Sequence, residues 1–273
     1  MRKVLCNSFA LGVVAVGLSM FTPSANADPF LPGVKNLNFL DYTGSAPKNY
    51  FTNVNPVGWT GGSGLIFIDA PGTADDGSYL SVYSPFPKNS PVGGNFVEAD
   101  GNPSFESGFN QTITGLTPGQ TYTLSFYQAA SQQVGFASGL ATTERWIVSL
   151  GTAGLSLRGG GPVDPTYGPT DEYYSTDPNA SIVASQLMTT PSAGVTPWQY
   201  VSVTLKADST TDLLSFLAWG DNGSTINLPP IVFLSGVNSV NVTTPEPATA
   251  PLLAIVLLGL GVAFLRRRRA AKA

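Results

Sequence analysis

The chain of 273 residues contains no histidine and a single cysteine, Cys6, which removes the commonest catalytic and metal-binding side chains and turns attention to its carboxylates and aromatic rings. Without histidine neither a Ser-His-Asp triad nor a Cys-His pair can be assembled, and the common ligands for zinc, copper and haem are missing. Glu98 with Glu106, or Asp171 with Glu172, supplies the residue types for glycoside hydrolysis, which sets two acids at a fixed separation across the sugar. The sequence gives no such separation, and acids on an acidic surface are ordinarily solvated, so the chain is read as non-catalytic. Gly159-Gly160-Gly161 is followed by no lysine and opens no helix, which excludes a phosphate cradle. Aromatic rings offer a different chemistry, the flat platform on which a sugar can lie. Trp59 lies in a Gly-rich turn, Trp146 and Trp219 in expected strands and Trp198 just before one, and of these Trp219 precedes Gly220, Asp221, Asn222 and Gly223, which offer polar groups beside the ring. Trp219, Asp221 and Asn222 are therefore the expected ligand contacts. Tyr173 and Tyr174 form a similar mixture with Asp171 and Glu172.

Both termini carry segments that address the chain instead of folding with it. Arg2 and Lys3 precede an apolar stretch over 10–21, and Ala25-Asn26-Ala27 offers the small residues that signal peptidase accepts, so residues 1–27 read as a signal peptide. Cys6 lies ahead of the apolar stretch and is removed with it. The exported part then has no cysteine with which to form a disulfide. At the other end, Pro245-Glu246-Pro247 is followed by an uncharged run over 248–265 and by Arg266, Arg267, Arg268 and Arg269. As a helix that run extends about 27 Å, close to the roughly 30 Å hydrocarbon core of a bilayer. The arginines act as a stop-transfer signal and keep the tail, 266–273, in the cytoplasm.

This arrangement resembles the PEP-CTERM sorting signal of Gram-negative bacteria: a Pro-Glu-Pro triplet, one membrane helix and a terminal arginine cluster. The resemblance implies that Pro245, Glu246 and Pro247 are recognised by a membrane-embedded processing enzyme, exosortase. It further implies passage through the secretion machinery, an inner-membrane intermediate, and delivery to the cell surface or beyond, among exopolysaccharide and biofilm matrix. It covers only about the last 30 residues.

Between the signals the body is acidic. From residue 28 to 244 it has six basic residues against sixteen acidic ones, a net charge of −10, which repels nucleic acid and anionic lipid. Gly and Pro are abundant, charge is sparse, and no long stretch shows helical periodicity, so the expected fold is all-β, an antiparallel sandwich over 28–240 with 241–247 as linker. In 121–127, Tyr122, Leu124 and Phe126 alternate with Thr121, Thr123 and Ser125, the period of a half-buried strand. With 109–114 before it and Pro118-Gly119 between, a hairpin around a type II turn is expected. Further strands are expected at 65–68, 79–83, 95–99, 145–150, 199–205, 213–219 and 231–242, the last with a bulge at Gly236. Residues 153–196, rich in Gly and Pro, read as a long surface excursion.

The order Val57-Gly58-Trp59, Asn95 to Gly101, Gln111 to Tyr122, Trp198, and Phe233-Leu234-Ser235-Gly236-Val237 resembles the galactose-binding-like jelly roll of carbohydrate-binding modules. The resemblance places Trp59 and Trp198 among packing residues and implies polysaccharide as a possible partner. It also implies a calcium ion that ties the first loop to the last strand, commonly through an Asp near that strand. Ser235-Gly236 stands there instead, and no acidic cluster has a calcium-ligand spacing. No cofactor is therefore expected, a structural calcium being the one open option.

Overall fold

A computed structural model describes residues 28–61, 64–102, 105–136, 139–157, 173–221 and 229–239. The expected signal peptide with Ala25 and Ala27, the tail with Pro245, Glu246, Pro247, Arg266, Arg267, Arg268 and Arg269, and also Asn222, lie outside them. Among the described residues no helix is long and apolar enough to cross a membrane; α1 (Phe51–Val54) is a single turn.

The body is all-β and antiparallel, consistent with a jelly-roll sandwich. One sheet runs β1 (Asn49–Tyr50), β3 (Ile66–Asp69), β4 (Phe96–Asp100), β14 (Pro230–Ser235), β6 (Thr121–Gln132), β12 (Val195–Lys206). The other runs β10 (Ser181–Ala184), β7 (Thr142–Gly151), β13 (Thr211–Asp221), β5 (Gly108–Thr114), β2 (Thr60–Gly61), and β11 (Met188–Thr190) also pairs with β7. A small ribbon joins β8 (Leu155–Leu157) to β9 (Tyr173–Ser175).

Alternation explains the layers. On β6 the residues Leu124 and Phe126, and on β13 the residues Leu214 and Phe216, turn inward and meet in the main core with Trp59, Phe109 and Trp146. Phe109 stacks on Phe216 with centroids 5.1 Å apart. The first sheet is also covered on its outer face, where Phe67, Phe96, Ala129 and Phe233 pack against Leu80, Val82 and Phe86 from the connection between β3 and β4. Strands covered on both faces read as continuous apolar runs, as Ile66-Phe67-Ile68 and Ile231-Val232-Phe233-Leu234 do.

Several expectations are corrected. β5 and β6 do not form a hairpin: β5 pairs with β13 and β2, β6 with β14 and β12. Both strands carry an apolar row, and placing them in opposite sheets lets those rows bury one another across the core. The turn between them is as expected, with Gly119 at φ 80° and the Gln120 amide donating to the Thr117 carbonyl at 3.0 Å. Residues 79–83 form no strand; their apolar side chains cover the first sheet, and Val82 makes one bridge to Gln133. Gly236 is not a bulge. It ends β14 at φ 62°, and the Ser239 amide closes a turn onto its carbonyl. The bulge is in β12, between Thr196 and Gln199, where Pro197 cannot donate to the ladder. It shifts the phase so that both Thr196 and Val201 face inward. Within 153–196, β8 to β11 are ordered and two of them extend the second sheet, so the stretch is not wholly a surface excursion.

Candidate functional site

The tryptophans are core residues. Trp146 is fully buried and its indole donates to the Phe233 carbonyl at 3.0 Å, tying the two sheets together. The Trp59 indole donates to the Lys35 carbonyl at 3.0 Å, and Trp198 packs edge-on against Phe86 and Phe96, in keeping with the resemblance. Trp219, expected to touch a ligand, is only 2% exposed. Its ring packs with Ile147 and Leu217, and the Arg145 guanidinium lies 4.4 Å from its centroid. A ring so covered offers no open platform. Asp221 ends β13 opposite Thr143.

Exposed aromatic surface is found instead at the edge of the first sheet. Tyr50 on β1 and Tyr79 in the covering connection are 39% and 57% exposed, with ring centroids 6.1 Å apart at 78°. Phe67 supports both from below, at 4.5 and 5.9 Å. The two phenols form a ledge with apolar faces and polar tips, suited to a ligand that is itself amphipathic.

Next to this ledge the sheet buries three charged side chains. Tyr50 pairs with Phe67 and Asn49 with Ile68, Lys48 just ahead of β1 donates its amide to the Ile68 carbonyl at 2.9 Å, and Glu98 lies opposite Phe67 on the neighbouring strand. Lys48 Nζ is 3.2 Å from Asp69 Oδ2 and 3.1 Å from Glu98 Oε2, and both carboxyls are fully buried. Asp69 Oδ1 and Glu98 Oε1 receive no hydrogen bond from any donor among the described residues. Burial holds the Asp69 carboxyl above its ordinary value against the pull of Lys48. Burial, then the charge of Asp69, push the Glu98 carboxyl well above its ordinary value, more than Lys48 pulls it down. For Lys48 burial opposes the ammonium, but the two acids outweigh it and its pKa is raised.

This cluster was not anticipated from the sequence, although a signal was there. Glu98 and Asp69 interrupt apolar runs, Phe96-Val97-Glu98-Ala99 and Ile66-Phe67-Ile68-Asp69, where a charge is out of place unless paired.

Glu98 and Glu106 are not brought together as a catalytic pair. Glu98 is sealed on the outer face of the first sheet, whereas Glu106 is exposed beside a cleft of about 130 Å³ on the second, lined also by Asn110, Ser156 and Ser215. Asp171 and Glu172 lie outside the described residues. Two further buried acids are pushed up: desolvation raises Asp100 to about 6 and Glu144 to about 8, the latter despite hydrogen bonds from Thr142 and Thr190. The tie between first loop and last strand is made by hydrogen bonds, the Val237 amide to the Leu37 carbonyl at 3.0 Å and the Asn238 side chain to the Leu31 carbonyl at 2.7 Å. Among the described residues no group of three or more acidic, His or Cys side chains is placed to hold a metal.

No family model matches the chain, and no curated protein matches it. Solved structures similar to it include three carbohydrate-binding modules. A CBM4 module is 17% identical, with a TM-score of 0.33 over 75% of this chain and 97% of its own. A CBM61 module solved with β-1,4-galactotriose is 10% identical, with a TM-score of 0.35 over 71% and 97%. The CBM22-2 xylan-binding domain of Paenibacillus barcinonensis Xyn10C is 12% identical, with a TM-score of 0.35 over 69% and 94%.

Proposed function

We propose that this chain is an exported, non-catalytic protein of a bacterial cell surface or extracellular matrix, delivered by exosortase, whose β-sandwich body contacts exopolysaccharide. The observation that carries the reading is the coincidence at one terminus of Pro245-Glu246-Pro247, an uncharged run of membrane-spanning length and four consecutive arginines. The signal peptide and the strongly acidic, cysteine-free body agree with export. Mass spectrometry of the mature C-terminus, in cells with and without the processing enzyme, tests it. A shortened chain only where the enzyme is present is expected; chains ending at Ala273 in both would make the tail a plain anchor.

A dedicated carbohydrate-binding role is the second reading, and the Tyr50 and Tyr79 ledge favours it. On affinity gels containing neutral polysaccharides the purified chain should be retarded, and Tyr79→Ala should lose at least about ten-fold in affinity, roughly 1.4 kcal/mol, with little change in stability. Equal mobility on every gel would leave the body a structural matrix element. A hydrolase would need a catalytic pair other than Glu98 with Glu106, since these open to opposite sides of the sandwich.

A further inference from the structure

We propose that Lys48 and Asp69 are joined by an intramolecular isopeptide bond, formed under the guidance of Glu98. Lys48 immediately precedes β1, its amide donates to the Ile68 carbonyl at 2.9 Å, and its Nζ lies 3.2 Å from Asp69 Oδ2 and 3.1 Å from Glu98 Oε2. Both carboxyls are fully buried, and each has an oxygen with no donor on it among the described residues. Phe67 and Phe96, the outward neighbours of Asp69 and Glu98 on their strands, are buried in the apolar cluster of that face. An amine, a carboxyl to attack and a second carboxyl to move protons are thus held together away from water.

The chemistry balances within the cluster. A Lys48 ammonium, an Asp69 carboxylate and a protonated Glu98 have no net charge together, and transfer of the ammonium proton to Asp69 leaves that sum unchanged. That transfer runs along the 3.2 Å contact between Nζ and Asp69 Oδ2 and places a neutral amine between two carboxylic acids. The Nζ lone pair attacks Cγ of Asp69, and the N–C bond forms. Glu98 accepts the amine proton on one oxygen and returns its own proton to a hydroxyl on the tetrahedral carbon. The C–O bond breaks and that hydroxyl leaves as water. Amine and carboxylic acid become a secondary amide and one water, Glu98 is regenerated, and neither oxidant nor reductant is needed. Holding the partners in contact replaces the activation that amide formation requires in solution, and exclusion of water slows the reverse reaction.

The bond would clamp β1, a two-residue edge strand, to β3 in a chain whose lone cysteine cannot form an internal disulfide. The assignment does not depend on the proposed ligand or sorting route.

Trypsin digestion of the fully denatured full-length chain, followed by mass spectrometry, tests it. Lys35, Lys48, Lys88 and Arg145 are consecutive cleavage sites in this region. The expected result is a single peptide spanning 36–88, uncut at Lys48 and lighter than its sequence by about 18 Da, one water. Separate, unmodified peptides 36–48 and 49–88 would overturn the proposal. A product joining 36–88 to 89–145 would place the bond on Glu98 and overturn the assignment to Asp69. In Glu98→Gln the water loss should disappear; its persistence would remove Glu98 from the reaction.

Discussion

Glu98 and Glu144 are both shut away from solvent, on strands of opposite sheets, and the two sites deal with the burden of a buried acid in different ways. On the outer face of the first sheet Glu98 joins Asp69 around Lys48, and the cluster balances its charge internally. At the inner face of the second sheet Glu144 has, among the described residues, no cation paired with it but hydroxyls from Thr190 and Thr142, and it stays neutral by keeping its proton up to about pH 8. Pairing preserves charge where a strand partner can supply the opposite sign. Protonation abolishes charge where the surroundings supply only dipoles.

The largest expected effect breaks the first site. Lys48→Met removes the amine, and with it both the ion pairs and the proposed bond to Asp69, and leaves two buried acids without compensation, which should cost about 3–5 kcal/mol in denaturant unfolding. The deficit should grow with pH, because the orphaned acids resist ionisation. An unchanged midpoint would mean that Lys48 neutralises nothing.

The second effect concerns pH at the other site. The folded-state pKa of Glu144 lies above its ordinary 4.5, at about 8, so the folded state binds the proton more tightly than the unfolded chain does. Its contribution is fully present below about pH 4.5 and is lost as pH rises through about 8. The loss should be of order 3–5 kcal/mol. Glu144→Gln keeps an acceptor for Thr190 and should flatten that part of the pH profile; an unchanged slope above pH 6 would show that Glu144 is ionised in the fold.

A smaller, intermediate case sharpens the comparison. Asp100 has neither cation nor hydroxyl partner, but one backbone amide, that of Asn102, donates to it at 2.8 Å, and its pKa is raised from 3.8 to about 6. Its destabilisation therefore sets in between these values as pH rises. Asp100→Asn should gain about 1–2 kcal/mol at pH 7 and nothing at pH 3, measured by paired denaturant curves.

Much of the strand content was legible in the sequence. Tyr122, Leu124 and Phe126 betray β6 by period alone, and the apolar runs around Phe96, Trp146, Phe216 and Phe233 mark β4, β7, β13 and β14. Partner choice was not legible, since an apolar row on β5 is satisfied equally well by a hairpin neighbour or by a facing sheet. Residues 79–83 show the same ambiguity from the other side: Leu80 and Val82 are apolar because they cover a sheet, not because they pair within it. Trp219 misled because polar neighbours in sequence do not expose a ring, while Tyr50 and Tyr79 are ordinary residues until Phe67 props them side by side.

Local sequence determined the expected address of this protein and its β character, because the patterns read as a signal peptide, a membrane-length run and an arginine stop, like a two-residue period, each fall within a short window. Only the tertiary structure decided where the charges and rings meet. Lys48, Asp69 and Glu98 span fifty positions, and only the pairing of β3 with β4 and the docking of the segment ahead of β1 against β3 bring an amine and two carboxyls into one buried contact.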